Sequence, residues 1–174
     1  YAIGDCRAGL RLTHVAGHEG TVVVQNIALG LPARAERRRV PQAIYTDPEL
    51  AQLGPTEAEA RAAGGRVEVD VAPFADDDRS VAEDTPAGFV KLVRVDGRTA
   101  GVTIVGVGAG ELLLPWAQIL AGRSSRLSFA STIVAYPTRS ERSKEAAFAS
   151  LRPKLFSPVL KRWARLLART RRVP

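Results

Sequence analysis

Residues 88–107 read Gly88-Phe89-Val90-Lys91-Leu92-Val93-Arg94-Val95-Asp96-Gly97-Arg98-Thr99-Ala100-Gly101-Val102-Thr103-Ile104-Val105-Gly106-Val107. Two runs rich in β-branched residues, 88–95 and 99–107, flank the dipeptide Asp96-Gly97. A two-residue hairpin turn needs positive φ at its central positions, which Asp tolerates and Gly adopts freely, so this stretch predicts an antiparallel hairpin. Upstream, Val67, Val69 and Val71 alternate with charged residues across 66–73, the pattern of a half-exposed strand. Residues 41–46 also have strand character. Between them, Thr56 with Glu59 three positions on forms a capping-box pattern, opening a helix that stops at Gly64-Gly65.

Helices dominate after the hairpin. One is expected from about Ala109 to Ala121, ending at Gly122. A short one follows near 127–131, and another runs from Ser140 to about Leu151. A meander of strands followed by helices predicts an α+β fold, an antiparallel sheet with helices packed on it, over residues 40–150. Ahead of it, residues 1–32 read as a short strand ending at Asp5, a turn, and a helix from Thr13 to about Leu29. Val15, Val22, Val23 and Ile27 recur there at near-helical spacing, and Gly30 and Pro32 stop it. The polar stretch 32–39 is a plausible linker.

The charge is unevenly spread. The chain carries a formal net charge of +7 over 174 residues. Residues 151–174 hold Arg152, Lys154, Lys161, Arg162, Arg165, Arg169, Arg171 and Arg172 and no acid, a charge of +8, so residues 1–150 sum to −1. The high isoelectric point thus belongs to the tail, and a nucleic-acid-binding reading of the whole chain loses its main support. Within the tail, Leu155, Phe156, Val159, Leu160, Trp163, Leu166 and Leu167 recur every three or four residues between the cations, a basic amphipathic helix beginning near Pro158. Three partners compete for it: the protein body or a second copy, an anionic membrane surface touched through 158–172, and nucleic acid. No apolar run approaches the roughly 20 residues of a membrane-spanning helix. The absence of Met and the start at Tyr1 suggest a piece of a longer protein. A single cysteine, Cys6, excludes an internal disulfide and a CxxC pair; with no partner it is expected to be a small buried packing residue. It also suits a reducing cytoplasm, the expected location, with peripheral membrane contact as the variant.

Short motifs in a fixed order resemble the dimerisation domain of the pyridine nucleotide-disulfide oxidoreductases, the family of dihydrolipoamide dehydrogenase, glutathione reductase and mercuric reductase. They are Tyr1-Ala2-Ile3-Gly4-Asp5, Leu12-Thr13-His14-Val15-Ala16, Val40-Pro41, Ile44-Tyr45-Thr46-Asp47-Pro48-Glu49-Leu50-Ala51, Gly88-Phe89-Val90-Lys91-Leu92, Ala109-Gly110-Glu111-Leu112 and Tyr136-Pro137-Thr138-Arg139-Ser140-Glu141. The match runs from residue 1 to about 150. It implies that 1–32 is the end of an FAD-binding domain, that 40–150 is the dimer-forming domain, and that the complete protein is a homodimer using FAD and NAD(P)H to reduce a small-molecule acceptor.

By the same resemblance, Asp5 would accept a hydrogen bond from a ribityl hydroxyl of FAD, and Thr13 and His14, at a helix start, would meet the flavin pyrimidine edge. Read locally, Asp5 is equally a helix-capping carboxylate and His14 a structural histidine. No metal site is indicated. The candidate catalytic pair is Tyr136 and Glu141. In the disulfide reductases the last motif begins with a histidine that exchanges protons with a redox cysteine of the other subunit, oriented by a glutamate five residues on. Here the glutamate is Glu141, but the histidine's place is taken by Tyr136. An ordinary phenol titrates near 10, so Tyr136 is no efficient thiol acid or base at neutral pH; it can donate a hydrogen bond or line a pocket. Tyrosine here resembles the mercuric-reductase-like branch, although those enzymes end in a cysteine pair and this sequence ends Arg171-Arg172-Val173-Pro174. The competing reading is a non-catalytic dimerisation or membrane-docking module.

Overall fold

The computed structural model describes residues 1–170, so the part of the expected tail helix at Arg171 and Arg172 lies outside the described residues. The chain forms two compact units, Tyr1–Val40 and the remainder from Pro41.

In the first unit, Gly4–Cys6 is a single 3-10 turn, followed by helix α1, Thr13–Ala28. The expected strand ending at Asp5 is not formed. A strand needs a neighbour to take its N–H and C=O groups, and this unit contains no strand among the described residues. The turn is tied to α1 instead: the Gly4 N–H donates to the buried Glu19 carboxylate at 2.9 Å, and Arg7 pairs with the same carboxylate. Asn26 closes the other end, accepting from the Ala33 N–H at 2.8 Å and donating to the Ala33 carbonyl at 3.1 Å. Cys6 is exposed, its thiol donating to the Ile3 carbonyl, which corrects the expectation of a buried packing residue. In a turn of three residues it has no packed layer to enter.

The second unit is built on a five-stranded antiparallel sheet of order β1-β2-β5-β4-β3. Its strands are β1, Gln42–Ile44; β2, Leu50–Leu53; β3, Val67–Pro73; β4, Phe89–Val95; and β5, Arg98–Val105. The hairpin read from the sequence is β4–β5, with Val95 opposite Arg98 and both Asp96 and Gly97 at positive φ (50° and 76°). Those two signs define the mirror-image turn whose twist matches the flanking strands. β2 was not visible in the sequence; four residues are too few to show alternation, and its strand state comes from pairing with β1 and β5.

Helix α2, Glu57–Ala62, starts with the expected capping box: Thr56 Oγ1 accepts from the Glu59 N–H, and the Glu59 carboxylate accepts from the Thr56 N–H. The other helices are α3, Asp78–Ala82; α4, Leu114–Leu120; α5, Arg126–Ser131; α6, Ser140–Ala149; α7, Arg152–Leu155; and α8, Pro158–Thr170. The helix expected from Ala109 begins later. A 3-10 turn covers Glu111–Leu113, and Pro115, lacking an N–H, occupies the opening turn of α4.

One sheet face supplies Ala51, Leu53, Ala72, Val90, Leu92, Val102 and Ile104 to a single core, and the helices complete it with Leu112, Leu113, Trp116, Phe129, Ala146 and Ala147. Trp116 is fully buried and meets Phe129 edge-on, centroids 5.5 Å apart at 89°. Its indole N–H donates to Ser143 Oγ at 3.3 Å, so the polar atom carried into the core by the largest side chain is satisfied. α6 lies against β3 and β4 and beside α5. That packing anchors the segment just before α6, which carries the candidate site.

Candidate functional site

Tyr136-Pro137-Thr138-Arg139 leads into α6; the stretch 77–85 holds the polar ends of Tyr136 and Arg139, while the Thr138 hydroxyl donates to the Ala135 carbonyl at 2.7 Å. The Tyr136 hydroxyl donates to the Asp78 carboxylate at 2.6 Å. Arg139 donates to Glu83 and, at 2.8 Å, to Thr85 Oγ1. One turn into α6, Arg142 forms an ion pair with Asp77, Nε to Oδ1 3.7 Å, too long for a hydrogen bond. Asp77 is 1% exposed. Its other oxygen accepts from the Ser80 N–H at 2.9 Å and the Ser80 hydroxyl at 2.7 Å, so the same carboxylate caps α3 and faces α6.

This bracing reaches only one side of the motif. Tyr136 remains 70% exposed, and the preceding Ile133 is 96% exposed. The residues that follow, from Pro137 on, border an open groove of about 400 Å³ whose other lining includes Arg79, Val107, Glu111 and Leu112. Glu111 sits in the 3-10 turn ahead of α4.

The electrostatics define what the phenol can do. Its hydrogen bond to Asp78 is the largest cause holding the Tyr136 pKa above the ordinary phenol value; the Asp78 charge adds to it, and Glu141 adds a smaller push in the same direction. The one proton of the hydroxyl is therefore committed to Asp78. What the phenol presents outward is an oxygen lone pair and an aromatic face, rather than a donor or a neutral-pH acid. Glu83, meanwhile, is held below the usual carboxylate range, first by its hydrogen bond from Arg139 and then by Arg79.

The sequence-based candidates divide between the two units. Tyr136 and Glu141 lie at the entry and in the first turn of α6. Asp5, Thr13 and His14 are all exposed in the first unit: Asp5 in the 3-10 turn and Thr13 as the first residue of α1. No side chain caps α1, since its N-cap position is Leu12. An exposed carboxylate and an uncapped start of a 16-residue helix are the groups that a polyol hydroxyl and an electron-rich ring edge would use. Glu19 and Arg7 lock each other, and the Arg7 hydrogen bond is the first cause depressing the Glu19 pKa.

Sequence reading missed Asp77, Asp78, Glu83 and the role of Arg139 and Arg142. One signal was available: Asp77 followed three residues later by Ser80 is a helix-capping spacing. Nothing in the sequence indicated that α3 would abut residues 58 positions downstream.

Comparison with known proteins gives a consistent picture. Residues 40–147 match the family model described as pyridine nucleotide-disulphide oxidoreductase, dimerisation domain. Dihydrolipoyl dehydrogenase of Bacillus subtilis (strain 168) is 35% identical over 149 residues, covering 84% of this chain and 32% of that protein. LpdA from Mycobacterium tuberculosis superposes with a TM-score of 0.78 at 31% identity, covering 86% of this chain and 33% of that one. The HOCl-induced flavoprotein disulfide reductase RclA from Escherichia coli shares the fold, with a TM-score of 0.77 at 24% identity over 86% of this chain and 35% of its own. The chain thus spans about a third of the length of the relatives it matches.

Proposed function

Since the chain belongs to the pyridine nucleotide-disulphide oxidoreductase family through its dimerisation domain, we propose that it is the interface-forming portion of an FAD-dependent NAD(P)H oxidoreductase that works as a homodimer. Asp5, Thr13 and His14 would contribute one wall of the flavin site, Asp5 to a ribityl hydroxyl and the start of α1 to the electron-rich ring edge. FAD, when bound, would supply the hydride and electron chemistry. Tyr136 and Glu141 would be offered to the active site of the second subunit.

The observation that carries this reading is the exposed stretch 133–136. Ile133 and Tyr136 stand in solvent while Asp78, Arg139 and Arg142 fix the backbone behind them. A fixed segment with exposed apolar and aromatic tips suits a docking surface. With Tyr136 in the place that the disulfide reductases give to histidine, the acceptor reaction draws no proton from this residue. The phenol instead shapes the acceptor pocket through its ring and lone pair.

Sedimentation of the 174-residue chain tests the reading. A reversible dimer at tens of micromolar, roughly the range of a modest interface, is expected, and Ile133→Glu should shift it to monomer. A wild-type chain that stays monomeric would sink the interface assignment. Supplied with FAD, the isolated chain should not retain it, because Asp5 and the α1 start form only one wall; a stoichiometric yellow protein would overturn that part.

A further inference from the structure

Helix α8 supplies no described residue to the hydrophobic core. At about 100° per residue, Leu166, Val159, Trp163, Leu167, Leu160 and Ala164 sweep an apolar arc of roughly 160°, and Lys161, Arg165 and Arg162 gather in a separate cationic arc of about 100°. Val159 is 76% exposed, Trp163 61% and Leu160 47%. Residues 151–174 carry eight cations and no acid.

We propose that α8 lies in the plane of an anionic lipid bilayer, its apolar arc entering the acyl boundary and its cations seated among the phosphates. The length argues for lying on the membrane. Thirteen residues span roughly 20 Å, short of the ~30 Å hydrocarbon layer, and no helix among the described residues is long and apolar enough to cross one. Charge argues for lipid over a second copy of the chain. Residues 1–150 hold 17 cations against 18 acids, so a second copy has almost no surplus acid for the tail's cations, of which Arg152 already pairs with Glu145, whereas an anionic leaflet supplies counter-charge continuously. A strongly segregated helix of low mean hydropathy, with tryptophan on one face and Lys/Arg on the other, is the pattern of in-plane anchors. Each cation near such a surface adds about fivefold in binding, the equivalent of ~1 kcal/mol.

The test uses the full chain and vesicles of phosphatidylcholine, with and without phosphatidylglycerol. Trp116 is buried, so a blue shift of tryptophan emission on adding lipid reports Trp163. Flotation with the anionic vesicles together with the blue shift, weakening as salt is raised, is the expected result. Arg162→Glu combined with Arg165→Glu should cut partitioning roughly a hundredfold or more, and Trp163→Glu should abolish the shift. Near-UV circular dichroism from Trp116 checks that each variant is folded, and Val159→Glu serves as a second apolar-face variant. The proposal is overturned by equal binding to neutral vesicles or by no binding to anionic ones. It is overturned equally if Trp163→Glu leaves vesicle binding intact, if the helix binds oligonucleotides but not vesicles, or if Trp163→Glu dissociates a dimer while lipid has no effect.

Discussion

The Tyr136 hydroxyl donates a hydrogen bond to the Asp78 carboxylate across 2.6 Å, joining the segment that opens α6 to the start of α3, 58 residues earlier in the chain. Asp78 shares this role with Asp77, Glu83 and Thr85, which hold Arg142 and Arg139. The phenol is thus oriented from behind by a carboxylate while its ring and remaining lone pair face outward. That arrangement determines what substitutions here should do.

In the complete oxidoreductase that we propose, Tyr136→Phe keeps the ring but loses the oxygen and leaves Asp78 without its donor. We expect kcat/KM for the acceptor to fall by about ten- to a hundredfold, with NAD(P)H-to-flavin reduction unchanged. Asp78→Asn keeps the phenol but loosens it, and should show a smaller fall of the same kind. Wild-type rates in both half-reactions for Tyr136→Phe would assign the hydroxyl to packing alone.

The phenol should titrate above the ordinary tyrosine value, because its proton is hydrogen-bonded to Asp78 and its anion would face that charge. A group whose folded pKa is raised contributes stability that is complete below the unfolded pKa, about 10, and is lost as pH rises through the folded one. Ultraviolet titration of the folded chain, with Tyr136→Phe subtracted to remove Tyr1 and Tyr45, should show the late transition. Asp78→Asn should bring it down toward the ordinary value. A Tyr136 transition unaffected by Asp78→Asn would disprove the coupling.

Glu83 shifts the opposite way, its carboxyl held low by Arg139 and then Arg79. Its contribution is present above the unfolded carboxylate value, near 4.3, and is lost as pH falls through the lower folded value. Glu83→Gln should therefore reduce stability at neutral pH and have no further effect once the pH lies below the folded pKa. In urea midpoints measured against pH, the difference from wild type should close in acid; a difference that persists there would refute the assignment.

Trp116→Ala empties the centre of the core and should cost about 3–5 kcal/mol in urea unfolding. Ser143→Ala leaves the indole N–H buried with no acceptor and should cost about 1–3 kcal/mol. A Ser143→Ala protein as stable as wild type would mean that the indole finds another acceptor.

Gly101 in β5 passes so close to the Pro55 carbonyl that an added Cβ would collide with backbone. The turn at Gly54-Pro55 crosses the strand at this point, and neither partner is a flexible side-chain end. Gly101→Ala should cost roughly 2–4 kcal/mol or shift the Gly54 turn, measurable as a fall in Tm; an unchanged Tm would mean the turn yields freely.

Much of this architecture is local chemistry and could be read from the residues. Asp96-Gly97 permits the positive φ of a tight turn, Thr56 and Glu59 satisfy one another's backbone donors, and Pro158 suits the start of a helix whose apolar and cationic residues separate by angle alone. Each feature depends on neighbours within a few positions. Ordered motifs carried the family resemblance for the same reason, and the substitution of tyrosine for histidine at 136 was visible without coordinates. β2 and the bracing of Tyr136 lay beyond local reading. Leu50–Leu53 becomes a strand only because β1 and β5 supply hydrogen-bond partners on both sides. Gly4–Cys6 does not become one because no such partner is present among the described residues. Asp78 is an exposed carboxylate in a run of three aspartates until packing brings α3 to the entrance of α6; only that long-range contact turns it into the acceptor for Tyr136, because a hydrogen bond depends on distance in space and sequence separation says nothing of it.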